Sequence, residues 1–321
     1  LEMNRRPFYF KEDMCMKKKL LSVMLAATMI CGLLTGCGNS KTTETTDASV
    51  EVSGTAEETE STDTEKKVLR VGMECAYAPF NWTQESEEVA NGEKAVPIYG
   101  TDYYAYGYDV MMAKKIADYL GWDLEIHKVE WTSIGMGLDS GDYDVIIAGM
   151  GWTEEREKSY DFTTPYYIRE TVVTCKEGSD LEGITGLSQF AGKNITATTQ
   201  LSTVWVEDIN EIPDVTPGAN YETTSECFMA VKNGTADICV IDRPTTLSAL
   251  QTNDGLKIIE LDENDTFSDA FTNVCIGVRE GDTEFLNTIQ GALDAIGWTE
   301  DNKAEMDKMM DEAIKLQPSA N

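Results

Sequence analysis

Histidine is almost missing: His127 is the only one in 321 residues. No Ser/His/Asp or Cys/His set can be assembled around it, and no cluster has zinc-ligand spacing. Positive charge is scarce as well, with 26 Lys and Arg against 57 Asp and Glu and a net charge of −31. So acidic a surface repels phosphate backbones and anionic headgroups, which excludes nucleic acid and peripheral binding to an anionic membrane. A cleft can still hold a small anion against that global field. Cysteines are too few and too scattered for a disulfide framework. After Cys37 an odd number remains, Cys75, Cys175, Cys227, Cys239 and Cys275, with no tight spacing. Buried free thiols are expected, with a Cys227–Cys239 bridge as the alternative. Nothing calls for a cofactor.

Long apolar runs are absent too. Residues 20–34 carry no charge, but 15 residues fall short of the roughly 18 or more of a spanning helix. Lys17, Lys18 and Lys19 precede this run and Leu34-Thr35-Gly36-Cys37 ends it. A basic segment, an apolar segment and small residues before a cleavage point describe an export signal. The ending resembles the bacterial lipobox, which implies cleavage before Cys37 and a lipid on its thiol. Residues 1–15 fit no part of a signal, so the start is expected at Met16 or Met14. Residues 38–67 hold 12 Ser/Thr and 8 Asp/Glu and no aromatic residue, Leu or Ile. Such a stretch cannot bury enough apolar area to offset its ordering entropy, and reads as a disordered spacer.

From Val68 onward strand-like and helix-like patterns alternate. Strands are expected at 68–73, 123–129, 144–150, 169–175, 194–197, 237–241, 256–261 and 271–278. Helices are expected at 108–120, 132–138, from Ser202, and at 224–233, 245–251, 283–296 and 303–314. Thr153 is placed to N-cap a further helix, with Glu154 and Glu155 near its positive end. The alternation predicts an α/β architecture with mainly parallel sheets.

One segment recurs. Leu138-Asp139-Ser140-Gly141 leads through Asp144 and four apolar residues to Gly149, and Val231-Lys232-Asn233-Gly234 leads through Asp237 to Asp242. Each reads as a helix end, a glycine stop and a buried strand, which points to two similar lobes. Ligands of such sheets lie beyond the carboxyl ends of the strands, so Gly149 and Asp242 become candidates to face each other across a cleft.

The run from Trp131 to Gly149-Met150-Gly151-Trp152-Thr153-Glu154-Glu155-Arg156, followed by Tyr160-Asp161-Phe162-Thr163-Thr164-Pro165-Tyr166-Tyr167, resembles the family 3 extracellular solute-binding proteins, the polar amino acid receptors of ABC importers. Tyr77-Ala78-Pro79-Phe80, Gly107-Tyr108-Asp109 and the Gly234…Asp242 segment add to it, and the resemblance covers nearly all of 68–280. It implies a two-lobed periplasmic-binding-protein-like clamshell with two hinge strands. Lobe one would be 68–166 plus 268–318, and lobe two 167–267.

Carried over by residue, the resemblance implies that Arg156 takes a ligand α-carboxylate, helped by the backbone N–H groups of Gly151 and Ser202. Asp242 and the Gly149 carbonyl would take the α-ammonium, and Tyr77 and Trp131 would wall the side chain. Competing readings stay open: Arg156 pairs with a surface carboxylate, Asp242 caps the helix entered through Pro244, and Tyr77 and Trp131 are core aromatics. Phe80 reads as core. Two departures stand out. The family often has a hydroxyl residue where this chain has Gly151, and usually a glycine where Gln200 stands. Residues 83–106 are longer than usual, either a flap at the cleft mouth or a surface excursion.

Glu74, beside the aromatic wall, stands where the resemblance implies that an acidic residue can pair with a cationic ligand tail, since a lone carboxylate at a cleft base is costly without a positive partner; the alternative is that a protein group or solvent neutralises it. The implied partners are a free amino acid, an ABC permease with its ATPase, and the outer face of a bacterial membrane through the lipid on Cys37, the protein acting as a monomer and not as an enzyme. An amino-acid-sensing lipoprotein and, further off, a small-acid dehydratase on the same fold are the alternatives.

Overall fold

The computed structural model describes residues 66–318, which lie within one of the two compact units of the chain. The export signal, Cys37 and nearly all of the spacer lie outside the described residues.

The first parallel strand, β1 (Val68–Met73), buries Leu69, Val71 and Met73. Four short strands come next in chain order or close to it: β2 (Ala76–Tyr77), β3 (Asn81–Gln84), β4 (Val96–Pro97) and β5 (Tyr104–Tyr106). They form a small sheet of order β2-β3-β5-β4. The long segment 83–106 thus carries two short strands, β4 and β5, and the end of β3, joined by turns. It is pinned to the lobe through the Tyr99 N–H to the Ile126 carbonyl (2.8 Å) and through Asn91 to Glu312 (2.8 Å). It is a surface excursion, not a flap over the cleft.

Helix α1 (Tyr108–Leu120) turns Val110, Met112, Ala113, Ile116 and Ala117 inward at helical spacing. It stops at Gly121, whose left-handed backbone (φ 67°) lets its N–H reach the carbonyls of Ala117 and Asp118. Strand β6 (Asp123–Lys128) then pairs in parallel with β1, Val68 opposite Asp123. Helix α2 (Ile134–Ser140) leads to β7 (Val145–Ile146), parallel to β1 on its other side. Tyr143 anchors this corner: its ring fills the space beside Gly72 and Gly137, and its hydroxyl donates to the Ile134 carbonyl.

The next strand, β8 (Tyr160–Lys176), runs 17 residues without a break. Beyond it the second lobe is built from β9 (Thr196–Thr198), α3 (Trp205–Asp208), β10 (Thr216–Pro217), α4 (Thr224–Asn233), β11 (Ile238–Asp242), α5 (Arg243–Thr252) and β12 (Leu256–Ile259). The chain returns through β13 (Phe271–Arg279) and ends in α6 (Thr283–Ala295) and α7 (Lys303–Leu316). The strand order is β10-β9-β11-β8-β13-β7-β1-β6, with β12 also on β8. From Tyr160 to Glu170, β8 pairs antiparallel with β13; from Thr171 to Lys176 it pairs with β11 and β12. One strand therefore serves two sheets, and two α/β lobes meet along it.

Several expected elements differ. The strand expected at 144–150 is regular only at Val145–Ile146, because β7 runs beside β1 and β13 for two residues and the chain then turns into the cleft. Residues 160–168 join β8, their pairing being set by β13 from far along the chain. The helix expected from Ser202 begins at Trp205 and is a single turn, and Ser202 itself sits in the left-handed region (φ 57°). The helix capped by Thr153 is one 3₁₀ turn, Arg156–Lys158, although the Thr153 hydroxyl does accept the Arg156 N–H at 3.1 Å. Cys75, Cys175, Cys227 and Cys239 are free and buried, and Cys275 is buried too. Among the described residues no helix is long and apolar enough to cross a membrane.

Candidate functional site

The sheets end where the two lobes face each other, and the singled-out side chains gather there. Glu74 follows β1, Tyr77 lies in β2, Trp131 opens a 3₁₀ turn after β6, and Gly149 and Gly151 follow β7. From the second lobe come Asp242, the last residue of β11, and Ser202. The repeated segment is real in shape: Gly141 (φ 81°) and Gly234 (φ 74°) stop α2 and α4 in the same way, and a buried strand follows each.

Asp242 is fully buried. One of its carboxylate oxygens accepts the Thr245 N–H at 2.8 Å, capping α5 with Pro244 in the first turn, and the other accepts the Tyr77 hydroxyl at 2.5 Å. The capping reading and the cleft reading of Asp242 hold together. Phe80, fully buried, stacks on Tyr77 at 4.8 Å between ring centres. Burial, with Asp242 next, pushes the Tyr77 phenol well up, so it stays a donor.

Gly149 and Asp242 do face each other, through Tyr77 and one residue missing from the sequence-derived set. Arg169, at the middle of β8, donates from one Nη1 to the Gly149 carbonyl (2.8 Å) and to the Tyr77 hydroxyl (3.0 Å). Its guanidinium lies over the Trp205 ring at 4.6 Å. Gly149 is held in the left-handed region (φ 60°), where a Cβ would strike Tyr77 at 2.5 Å. Its N–H donates to the Tyr166 hydroxyl (2.9 Å), which donates to Asp109 (2.6 Å); Asn81 donates to the same carboxylate (2.7 Å). Burial raises Asp109 to about 6 against these bonds.

Arg156 is half-buried and lies over the Trp131 ring at 5.2 Å. It donates to the Gly151 carbonyl (2.6 Å) and, across the cleft, to the Ser202 carbonyl (2.8 Å). Among the described residues it pairs with no carboxylate. Burial first, then the charge of Arg169, lowers its guanidinium to about 10. Gly151 bridges to Val274 through the flanking bonds Trp152 N–H to Asn273 (2.7 Å) and Cys275 N–H to Met150 (3.0 Å), so its own N–H stays out of the ladder. The missing hydroxyl at this position has a steric reason: a Cβ would meet Thr272 at 2.8 Å and Arg169 Nη2 at 2.9 Å. Ser202 contributes its carbonyl to Arg156 and, with α3 starting at Trp205, does not stand at a helix N-terminus.

At the other end of the cleft Glu74, 4% exposed, accepts the Gln200 amide at 3.1 Å. Gln200 also donates to the Glu222 carbonyl (2.8 Å), so the residue standing where a glycine is usual reaches across and covers Glu74. Burial pushes Glu74 up to about 8; Gln200 opposes this, while Glu222, Asp109 and Glu130 add to it. Trp131 donates to the Leu201 carbonyl (3.0 Å), and Thr132 to the Glu222 side chain (2.9 Å). A cavity of about 320 Å³ opens between the lobes away from these residues, lined among others by Cys75, Ala78 and Lys128 from one side and Thr224, Phe228 and Thr245 from the other, and none of the candidate site residues lines it.

Gln200, Glu222 and Arg169 are the cleft residues that sequence reasoning did not assign. Arg169 had a legible signal: a lone arginine in register with Tyr167, Thr171 and Val173, on the buried face of an alternating strand.

The chain matches known proteins. The chain is similar to the arginine-binding extracellular protein ArtP of Bacillus subtilis, 26% identical over 75% of this chain and 79% of that one. It is equally similar, at 26% over 71% of this chain and 77% of the other, to the L-cystine-binding protein TcyJ of Escherichia coli. The solved substrate-binding protein of an amino acid ABC transporter superposes with a TM-score of 0.61 at 25% identity, over 77% of this chain and 99% of that one, so the two lobes form a clamshell. The family model for bacterial extracellular solute-binding proteins, family 3, matches residues 69–310, and the chain belongs to that family.

Proposed function

We propose that the protein is an extracytoplasmic receptor that closes on one free amino acid and hands it to an ABC permease and its ATPase without altering it. The observation that carries this reading is the opposed pair of charges: Arg156 on one lobe reaches the backbone of the other, and Asp242 on the second lobe meets Tyr77 of the first. A zwitterion satisfies both charges at once only when the lobes are together, which is a reason for closure to follow binding. Gly151 N–H would join Arg156 on the carboxylate.

A cationic side chain is the favoured ligand tail. Glu74 is desolvated and keeps its proton through neutral pH, and a cation replacing the Gln200 amide would release that proton and pair with the carboxylate left behind. The name of the arginine-binding relative agrees; that of the cystine-binding relative marks the neutral alternative. A lipid on Cys37 would keep the receptor beside its permease, with 38–67 as the tether.

Calorimetric titration with L-arginine, L-lysine, L-histidine, L-glutamine and L-cystine tests the reading. Binding of one of these is expected, weakened at least ~100-fold in Arg156→Ala, the loss of charge-assisted bonds to a carboxylate. Undiminished affinity in that variant would remove Arg156 from the site, and recovery of a chemically changed ligand would replace the receptor with an enzyme.

A further inference from the structure

Arg169 is 3% exposed, yet only one of its three guanidinium nitrogens is used by the protein. Its Nε is buried and has no partner among the described residues. Its Nη2 makes no hydrogen bond among them either, and lies 2.9 Å from the point where a Gly151 Cβ would stand; Arg156 Nη1 lies 3.8 Å from the same point. Two guanidinium ends thus converge on the space beside Gly151. All of their hydrogen bonds go to carbonyl or phenol oxygens and none to a carboxylate. Trp205 beneath Arg169 and Tyr77 beside it hold the fork in place, so its direction is built and not incidental.

Asp109 and Asp208 feel the charge of Arg169 but none of its donors reaches a carboxylate, and a buried guanidinium with unused donors is expensive, more so with a second one near it. A purely structural arginine would spend its donors on the protein. Arg169 instead anchors through Nη1 and leaves Nη2 toward Arg156.

We propose that Arg169 is a second carboxylate-binding residue, so that the ligand's carboxylate is held between the guanidinium groups of Arg156 and Arg169, with Gly151 as the spacer that lets them approach. This rests on the amino-acid-receptor reading. It makes the two ends of the cleft unequal: the carboxylate end carries two fixed cations, and the Gly149 carbonyl, already engaged by Arg169, leaves the ammonium chiefly to Asp242. The carboxylate therefore dominates recognition of the ligand's common part. A larger residue at 151 would break this arrangement while leaving Arg156 in place.

The test combines affinity with a structure. L-arginine, L-lysine, L-histidine, L-glutamine and L-cystine are titrated into the wild type, Arg169→Gln and Arg169→Lys, and the wild type is crystallised with whichever binds tightest. The expected result is a loss of about tenfold or more in Arg169→Gln, an intermediate loss in Arg169→Lys, and a bound carboxylate within hydrogen-bond distance of Arg156 and of Arg169 Nη2. Equal or tighter binding by Arg169→Gln overturns the proposal. So does a bound carboxylate that touches Arg156 alone, a result that needs no variant to fold. A wild type that binds none of the five removes the amino-acid reading and this inference together, whereas binding that ignores Arg169 removes only the inference.

Discussion

Glu74 and Gln200 meet inside the cleft, both buried, and the carboxyl is pushed up to about 8 from an ordinary 4.5. The folded protein therefore keeps a proton that the unfolded chain has released. The stability linked to this group is complete below about pH 4.5 and is lost as the pH rises to about 8, with a slope of up to ~1.4 kcal/mol per pH unit between. Thermal melts between about pH 5 and about pH 8 should show Tm falling less in Glu74→Gln than in the wild type. Parallel slopes would mean that Glu74 is ionised in the fold. At the same scale, Gly151→Ala should cost roughly 1–3 kcal/mol by overpacking against Thr272 and Arg169, read from denaturant melts, and should weaken ligand as well. Residue identities were legible where chemistry is tied to a motif: Arg156, Asp242, Gly149 and Tyr77 all reach the cleft. Arg169 and Gln200 were not assigned, because their meaning depends on which strand and loop lie opposite.

Helices α4 and α5 start in ways that allow two roles to be separated. Thr223 and Glu226 form a reciprocal capping box on α4, so Thr223→Ala should cost about 1 kcal/mol with ligand affinity unchanged. Asp242 both caps α5 and faces the cleft. Asparagine caps a helix about as well as aspartate but carries no charge. Asp242→Asn should thus keep Tm close to the wild type while losing most amino acid affinity in titration. A large fall in Tm would show that the charge serves the fold instead. At this scale the long periodic helices and the buried strands were readable from spacing. The 17-residue length of β8 was not, since half of its partners come from residues 271–279. Neither was the shortness of β7, whose two paired residues are limited by its neighbours.

Across the whole molecule, the lobes touch through Arg156 to Ser202, Trp131 to Leu201, Thr132 to Glu222, Glu74 to Gln200 and Tyr77 to Asp242. A ligand that binds only where both sides converge adds stability by mass action, about 2.7 kcal/mol at a hundredfold excess over Kd. Tm should rise with ligand concentration, and the rise should vanish in Arg156→Ala. An α/β architecture was legible from alternation, and its two-lobed form from the recurring segment and family likeness. What alternation could not give is how the lobes share strands, because that is set by pairings between distant segments.

That sharing has a consequence for the order in which the molecule can be made. In the first sheet β13 lies between β7 and β8, and it is among the last segments of the chain to be synthesised. Until residues 271–279 emerge, β7 has one open edge and the front half of β8 has no partner from β13. The strands β9 to β12 can already be in place on the rear half of β8. The second lobe can therefore form first, and the amino-terminal strands must wait for the carboxyl-terminal ones.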